Sequence, residues 1–435
     1  MKAGKLVSSL GMVSLLAVMV ACNDESSGNN AENNNGGNNN GGNNDEGSAE
    51  KANIDFAAWG GPEEINELQE LVDGVNEKSD EYEINLITIA DDYPTALQTR
   101  VAGNNAPDIF YLSQEWVSTY ANSDVLLDLT EYVENDEDLE LEHYYEDTIR
   151  VSSYDDKLYG LPWISNPVIL YYNVDIFDEA GIDYPDESWD WDQFRDVAKE
   201  LTKDLNDDGR TDQWGFTTHG WPPTHQWIWS MGGDVVSQDG EVLVDSPESI
   251  EGLEILNSIL NEDESIPASN TIEQQGLAEM FKAGRIGMFM GGAADDLDRV
   301  EGMNVEATVV PKGEERVTFN WLASMVASAD TEDPDVTYQA LKDMTEAIHT
   351  WKIVPPDSRL ADTVLDIEPR KTESAAQAMT ESMEFARGFS GHPQQQQIDT
   401  IVWDHLTSPL IEGTGSPQEL AEDTAEQLRN LLEQE

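Results

Sequence analysis

Cysteine is almost absent from this 435-residue chain: Cys22 is the only one. No intramolecular disulfide can form, so the folded body must be held by packing alone. Basic residues are scarce as well, 23 Lys plus Arg against 88 Asp plus Glu, for a net charge of −65 and an isoelectric point near 4.1. That balance excludes nucleic acid as a partner, because phosphate contacts need a basic surface. The acids are spread along the chain rather than gathered in one tail, as on a solvated surface suited to saline or alkaline surroundings. Catalytic signatures are missing too. There is no His-Glu-x-x-His, Gly-x-Ser-x-Gly or Walker loop, and the six histidines, at 143, 219, 225, 349, 392 and 405, show no ligand spacing.

Long apolar runs are confined to the N-terminus. Lys2 and Lys5 precede the apolar stretch Leu6 to Val20, which Ala21 and Cys22 close just before polar Asn23 and Asp24. The stretch is short for a membrane span and reads as an export signal over 1–22. It resembles a bacterial lipoprotein signal, with Met19 where that pattern more often has leucine, and the resemblance implies lipidation of Cys22. An ordinary cleaved signal is the alternative. Residues 23–50 are nearly all Asn, Gly, Ser, Asp and Glu, too poor in apolar groups to offset chain entropy, so they are expected to form a disordered spacer.

From residue 51 the periodicity changes. Asn53 to Trp59, Tyr82 to Ile89 and Asp108 to Leu112 read as strands, separated by helical patterns over Glu63 to Lys78 and Tyr93 to Ala102. This βαβαβ order predicts an α/β lobe with a largely parallel sheet, its site beyond the carboxyl ends of the strands. Further on, Gly215 to Thr217 and Ile286 to Met290 read as strands. Ser188 or Asp190 can cap a helix carrying Phe194, and Gly284 can make a sharp turn.

Ordered motifs in the middle of the chain carry a family resemblance. They are Ala106-Pro107-Asp108-Ile109, Tyr159-Gly160-Leu161-Pro162-Trp163, Ile169 to Phe177, Trp189 to Phe194, Met280 to Met288, and a closing helix over Gly413 to Leu432. The set resembles the extracellular solute-binding proteins of carbohydrate ABC transporters. The resemblance implies an α/β, two-lobed periplasmic-binding-protein-like fold of type II, with an N-terminal lobe of 51–161 and 321–373 and a C-terminal lobe of 162–320 and 374–435. It also implies a monomer that binds a sugar or oligosaccharide between its lobes and delivers it to a permease with its ATPase. It implies no enzyme activity and no required cofactor. A secreted carbohydrate hydrolase, a sensor or adhesin without a transport role, and a non-sugar solute such as a glycerol phosphate are the alternatives.

Sugars offer apolar ring faces to aromatic side chains and hydroxyls to polar ones, so candidate residues combine Trp with carboxylates and amides. Trp59 and Gly60 end the first strand. Gln114, Glu115 and Trp116 follow the third, where relatives place polar sugar ligands; a plain helix start is the bland reading. Trp163 and Asn166 follow the crossing at Pro162. Trp221, with His219 nearby, sits in a loop that carries stacking aromatics in relatives. Gly292 and Asp295 lie in a loop where the family often has a tryptophan and this chain has Ala293 and Ala294. Trp321 marks the return crossing, and Arg359 is a rare cation that could equally be a surface ion pair. Separately, Asp204, Asn206, Asp208, the Arg210 carbonyl and Asp212 match the first part of an EF-hand loop, with Gly209 sixth but Gly215 rather than glutamate twelfth. That set is the one candidate metal site, for a structural calcium.

Overall fold

The computed structural model describes residues 51–89, 92–352, 354–389 and 391–433. The export signal, Cys22 and the polar spacer lie outside the described residues.

The first strands follow the expected order. Strand β1 (Ala52–Ala58) is followed by helix α1 (Pro62–Asn76), β2 (Tyr82–Thr88), α2 (Tyr93–Ala102), β3 (Ile109–Ser113) and α3 (Gln114–Asn122). β1 pairs parallel with both β2 and β3. Its alternation explains the register: Ile54, Phe56 and Ala58 are buried while Asn53 and Asp55 are exposed, the period-2 pattern of a strand. α1 turns Leu68, Val72 and Val75 onto the same core.

Two long antiparallel strands extend the sheet. Strand β4 runs from Gly160 to Asn173; β5 (Met288–Gly292), β6 (Val305–Thr308) and β7 (Thr318–Ala327) follow in the chain, and β8 is the short Ala386–Arg387. The eight-stranded sheet has the order β2-β1-β3-β7-β4-β5, with β6 also on β4 and β8 on β7. β4 belongs to both halves of the molecule. Its start, at Leu161 and Trp163, joins the core built on β1 to β3, and its end enters two further cores. There the alternation is again decisive: Val168, Leu170 and Tyr172 face one core while Ile169 and Tyr171 face the other. The intervening ladder with β7 is interrupted by a bulge between Pro162 and Ile164, which frees Trp163 from the regular pairing and re-aims it.

Local chemistry matches several expected ends. Asp190, not Ser188, caps the helix Trp191–Leu201, its carboxylate accepting from the Gln193 amide at 2.8 Å; Ser188 instead donates to Asp186. Gly284 makes its turn at φ +68°. The strand expected over Gly215 to Thr217 does not form. Gly215 is pressed onto Ala198, where a Cβ would lie 1.9 Å from the carbonyl oxygen, and its amide donates to Thr202 Oγ1 rather than to a ladder. The strand expected at Ile286 to Met290 is displaced to Met288–Gly292.

A buried ion pair fastens the segment after β5. Lys371 Nζ reaches Asp298 Oδ1 at 3.1 Å, with both side chains fully inaccessible, and donates to the Ala293 carbonyl at 2.9 Å. Breaking such a pair strands a charge in the interior. Lys371→Met is expected to lower unfolding free energy by about 3 kcal/mol or more, measured by urea denaturation, and the double variant Lys371→Met/Asp298→Asn should recover part of that loss.

Candidate functional site

The crossing of β4 and β7 places a tryptophan at the junction of the cores. Trp321 is opposite Asn166 in the ladder. Half-buried, it packs against both the first and the second core. Two cavities open on its two sides.

The larger, about 270 Å³, is walled by aromatic rings, among them Trp221, Phe319, Trp321, Phe389 and Trp403, with the carboxylates of Glu115 and Asp399 in the same lining. Glu115 stands in the first turn of α3. Asp399 comes from the helix Gln395–Val402 at the other end of the chain. Trp221 meets Phe319 edge to face at 5.7 Å. Trp403 begins a π-helical turn, Trp403–Thr407, and is 46 % exposed, unusual for so large an apolar side chain; such turns recur at functional sites. Gly220, at φ +77°, makes room for it, since a Cβ there would lie 2.8 Å from the indole.

The smaller cavity, about 180 Å³, is lined by Trp59, Tyr93, Leu112, Trp116, Tyr120 and Trp321 and is almost wholly apolar. Trp59 is set by its neighbours: Tyr93 at 4.9 Å and Tyr111 at 5.1 Å, both edge to face, with Trp321 at 6.3 Å. Tyr93 is itself pinned, its hydroxyl donating to the carbonyls of Ala57 and Tyr111.

Electrostatically the larger cavity is a place where charge is expensive. Burial pushes the Glu115 carboxyl above its ordinary range. Burial, opposed by the Gln395 amide and reinforced by the Glu115 charge, pushes Asp399 up to about 7. His225, also in the lining, is driven down to about 4 by burial and is therefore neutral. Its Nδ1 is buried with no hydrogen-bond partner.

The expected site residues divide. Trp59, Glu115, Trp116, Trp221 and Trp321 line the two cavities; the others do not. Gln114 is 1 % exposed and serves as a clasp, its amide nitrogen donating to the Asn320 carbonyl at 3.2 Å and its oxygen accepting from the Phe389 amide at 3.1 Å. Gly388 is glycine because a Cβ would lie 2.4 Å from that same oxygen. Trp163 is buried and stacks on Tyr111 at 4.1 Å, a core role behind Trp59. Asn166 holds the Ala294 amide at 3.0 Å. The Gly292 amide donates to Asp295 at 2.8 Å, so the two expected solute contacts satisfy each other. His219 pairs with Glu273 at 3.7 Å. Arg359 is a surface ion pair, forked onto Asp357 and reaching Glu140 at 2.8 Å. Gly60 lies beside Trp59 but outside both linings. The sequence reading missed His225, Phe319, Phe389, Asp399 and Trp403. One signal was available: Gln395, Asp399 and Trp403 recur every fourth residue, placing a carboxylate and a tryptophan on one helical face.

Three cores joined by crossing strands, with aromatic cavities at the crossing, make the architecture of a two-lobed binding protein. Solved structures agree on the fold. An ABC substrate-binding protein of Listeria monocytogenes in complex with cycloalternan superposes with a TM-score of 0.75 at 24% identity, covering 88% of this chain and 99% of that one. The sugar-binding protein MalE of Xanthomonas citri does so at 0.74 and 17%, covering 88% and 100%. The chain belongs to the bacterial extracellular solute-binding protein family, whose pattern matches residues 61–347. An arabinooligosaccharide-binding protein of Bacillus subtilis is 25% identical over 282 residues, 57% of this chain and 63% of that protein. A Brucella abortus chain whose name assigns it only a binding role is 27% identical over 194 residues, 43% of this chain and 44% of that one. The matches thus span less than two thirds of these relatives' length.

The raised Asp399 has a consequence for stability. A carboxyl near 7 when folded and about 3.9 when unfolded keeps its proton longer in the native state. Its contribution is therefore fully present below about pH 4 and is lost as the pH rises to 7. Asp399→Asn is expected to melt several degrees above the parent at pH 8 and to converge with it at pH 4, whereas the exposed control Asp239→Asn should show no such crossover.

Proposed function

We propose that this protein is an extracellular, lipid-anchored receptor that captures a sugar or oligosaccharide at the junction of its two lobes and delivers it to an ABC permease driven by a separate ATPase. The observation that carries the reading is the grouping of Trp221, Trp321 and Glu115 in one cavity, with Trp59 beside Trp321 in the adjoining one: ring faces for a sugar's apolar sides beside an acceptor for its hydroxyls. Relatives named for arabinooligosaccharide binding and neighbours named for sugar binding support the same class. The lobes are read as 51–161 with 321–373 and 162–320 with 374–435, with Val354 and Val364 packing across that division against Ile169 and Phe281. Cys22 carries the lipid and residues 23–50 form the tether. The protein acts as a monomer and performs no chemistry on its cargo. Truncating Trp221 removes one face of the larger cavity, so Trp221→Ala is expected to weaken glycan binding roughly tenfold or more, read by calorimetry on the parent and variant with maltose and arabinooligosaccharides.

The paired carboxyls Glu115 and Asp399, one near neutrality, are also what a glycoside hydrolase would need. Recovery of the glycan intact after prolonged incubation distinguishes the receptor; a shortened product identifies the hydrolase.

The loop 204–212 is assigned a structural calcium, held by Asp204, Asn206, Asp208, the Arg210 carbonyl and Asp212. In support, Asp204 gathers the amides of Asn206, Asp208 and Gly209, Gly209 turns at φ +83°, and the ends are closed by Lys203 and Gln213 exchanging backbone hydrogen bonds. Without a bidentate twelfth ligand, affinity should be modest. EDTA is expected to lower Tm and added calcium to restore it, and Asp204→Ala should abolish the difference; a Tm insensitive to chelator removes the site.

A further inference from the structure

Building on the sugar-receptor reading, we infer that the larger cavity selects a carbohydrate bearing a positive charge, an amino-substituted sugar, over its neutral counterpart. Among the described residues, neither cavity has a Lys or Arg in its lining. Glu115 and Asp399 enter the same space from segments far apart in the chain, and the side chains that hydrogen-bond to them are neutral: the Gln395 amide donates to Asp399 at 2.9 Å, and the Ser113 hydroxyl bonds Glu115. The basic residue in the lining, His225, is uncharged. Elsewhere this chain neutralises its inward-facing acids carefully: Asp298 has Lys371, Asp136 has Lys342 at 2.7 Å, and Asp263 has Arg195 at 2.7 Å. The cavity carboxylates are an exception to that habit, so the missing charge is expected to come from the ligand.

The walls suit the same occupant. Trp221, Trp321, Trp403, Phe319 and Phe389 present ring faces and edges around the two acids. An ammonium group desolvated among aromatic rings is attracted by their quadrupoles in addition to the carboxylates. A neutral sugar would gain the stacking and the hydroxyl hydrogen bonds but would bring no counter-charge, so burial and mutual repulsion would keep the pair from ionising together and the cavity's attraction for a cation would go unused. The free amine of a hexosamine resolves both. Acetylation of that amine keeps the ring, the linkage and the stacking and removes the charge alone, which makes it the discriminating comparison.

The experiment is calorimetric titration of the full folded protein at pH 6.5, where such amines are protonated, with chitobiose carrying free amines, its N,N′-diacetyl form, maltose, and choline as a cation without a sugar ring. The expected result is that free-amine chitobiose binds at least about tenfold more tightly than the diacetyl form, the scale of one hydrogen bond to a charged group. Glu115→Gln and Asp399→Asn should erase that preference, bringing the affinities for the free-amine and diacetyl forms to within about twofold of each other, with unchanged circular dichroism confirming folded variants. Equal or tighter binding of the neutral glycans, or a preference untouched by both substitutions, overturns the charge assignment and leaves the sugar receptor standing. Binding of choline without any glycan overturns the carbohydrate part. Silence toward all four probes overturns the sugar reading and this inference together.

Discussion

The structure depends on one ladder, the antiparallel pairing of Gly160–Asn173 with Thr318–Ala327. Each of these strands lays one end in the first core and the other in the second, so the two halves of the molecule are joined by continuous backbone. The pairing at Asn166 and Trp321 and the bulge at Trp163 fix which side chains stand at the crossing. A strand's alternation leaves no freedom here: a slip of one residue would turn Trp321 away from both cavities and bury Asn320 differently. The Gln114 clasp reinforces the junction by tying the start of α3 to the Asn320 carbonyl and the Phe389 amide. Because Gln114 is adjacent to Glu115, the clasp also positions the carboxylate that reaches the larger cavity.

Charge shapes the molecule in two opposite ways. Over the surface, 88 acids against 23 basic residues are tolerable because each carboxylate is solvated and salt screens the remainder. In the interior the same chain provides partners, as for Asp298, Asp263 and Asp136. The junction cavity departs from both regimes, with Glu115 and Asp399 desolvated and without a cationic partner in the lining. Unpaired polarity of this kind is a local cost that the rest of the packing must offset, and it is where a binding site is expected to store its selectivity.

Much of the first half was legible from pattern. The period-2 and period-3.6 alternation between 52 and 113 places strands and helices within a residue or two of their observed ends, because local burial dictates them. Several candidate tryptophans were equally readable: Trp59, Trp116, Trp221 and Trp321 all reach the cavities. Residues beside them were harder. Gln114, Asn166, Gly292 and Asp295 carry the right chemistry for a solute, yet Gln114, Asn166 and Asp295 are consumed by neighbouring backbone groups and the Gly292 amide by the Asp295 carboxylate. Nothing in composition distinguishes an amide spent on the fold from one held free. Gly215 illustrates the complementary failure: an extended, β-prone segment loses its strand because it is wedged against Ala198.

By itself the sequence determined the composition-level constraints and the local elements: stability without disulfides, a surface of one sign, the α/β order of the first half, and the class of solute-binding protein through its ordered motifs. These follow from what each short window can bury or cap. Tertiary structure alone decided that Asp399 and Trp403 meet Glu115, which lies 284 positions before Asp399 in the chain. It also decided that Arg359 spends its charge on Asp357 at the surface and that Trp163 supports the site from behind. The reason is physical: desolvation and pairing depend on which distant segments converge, and that convergence is set by the crossing strands.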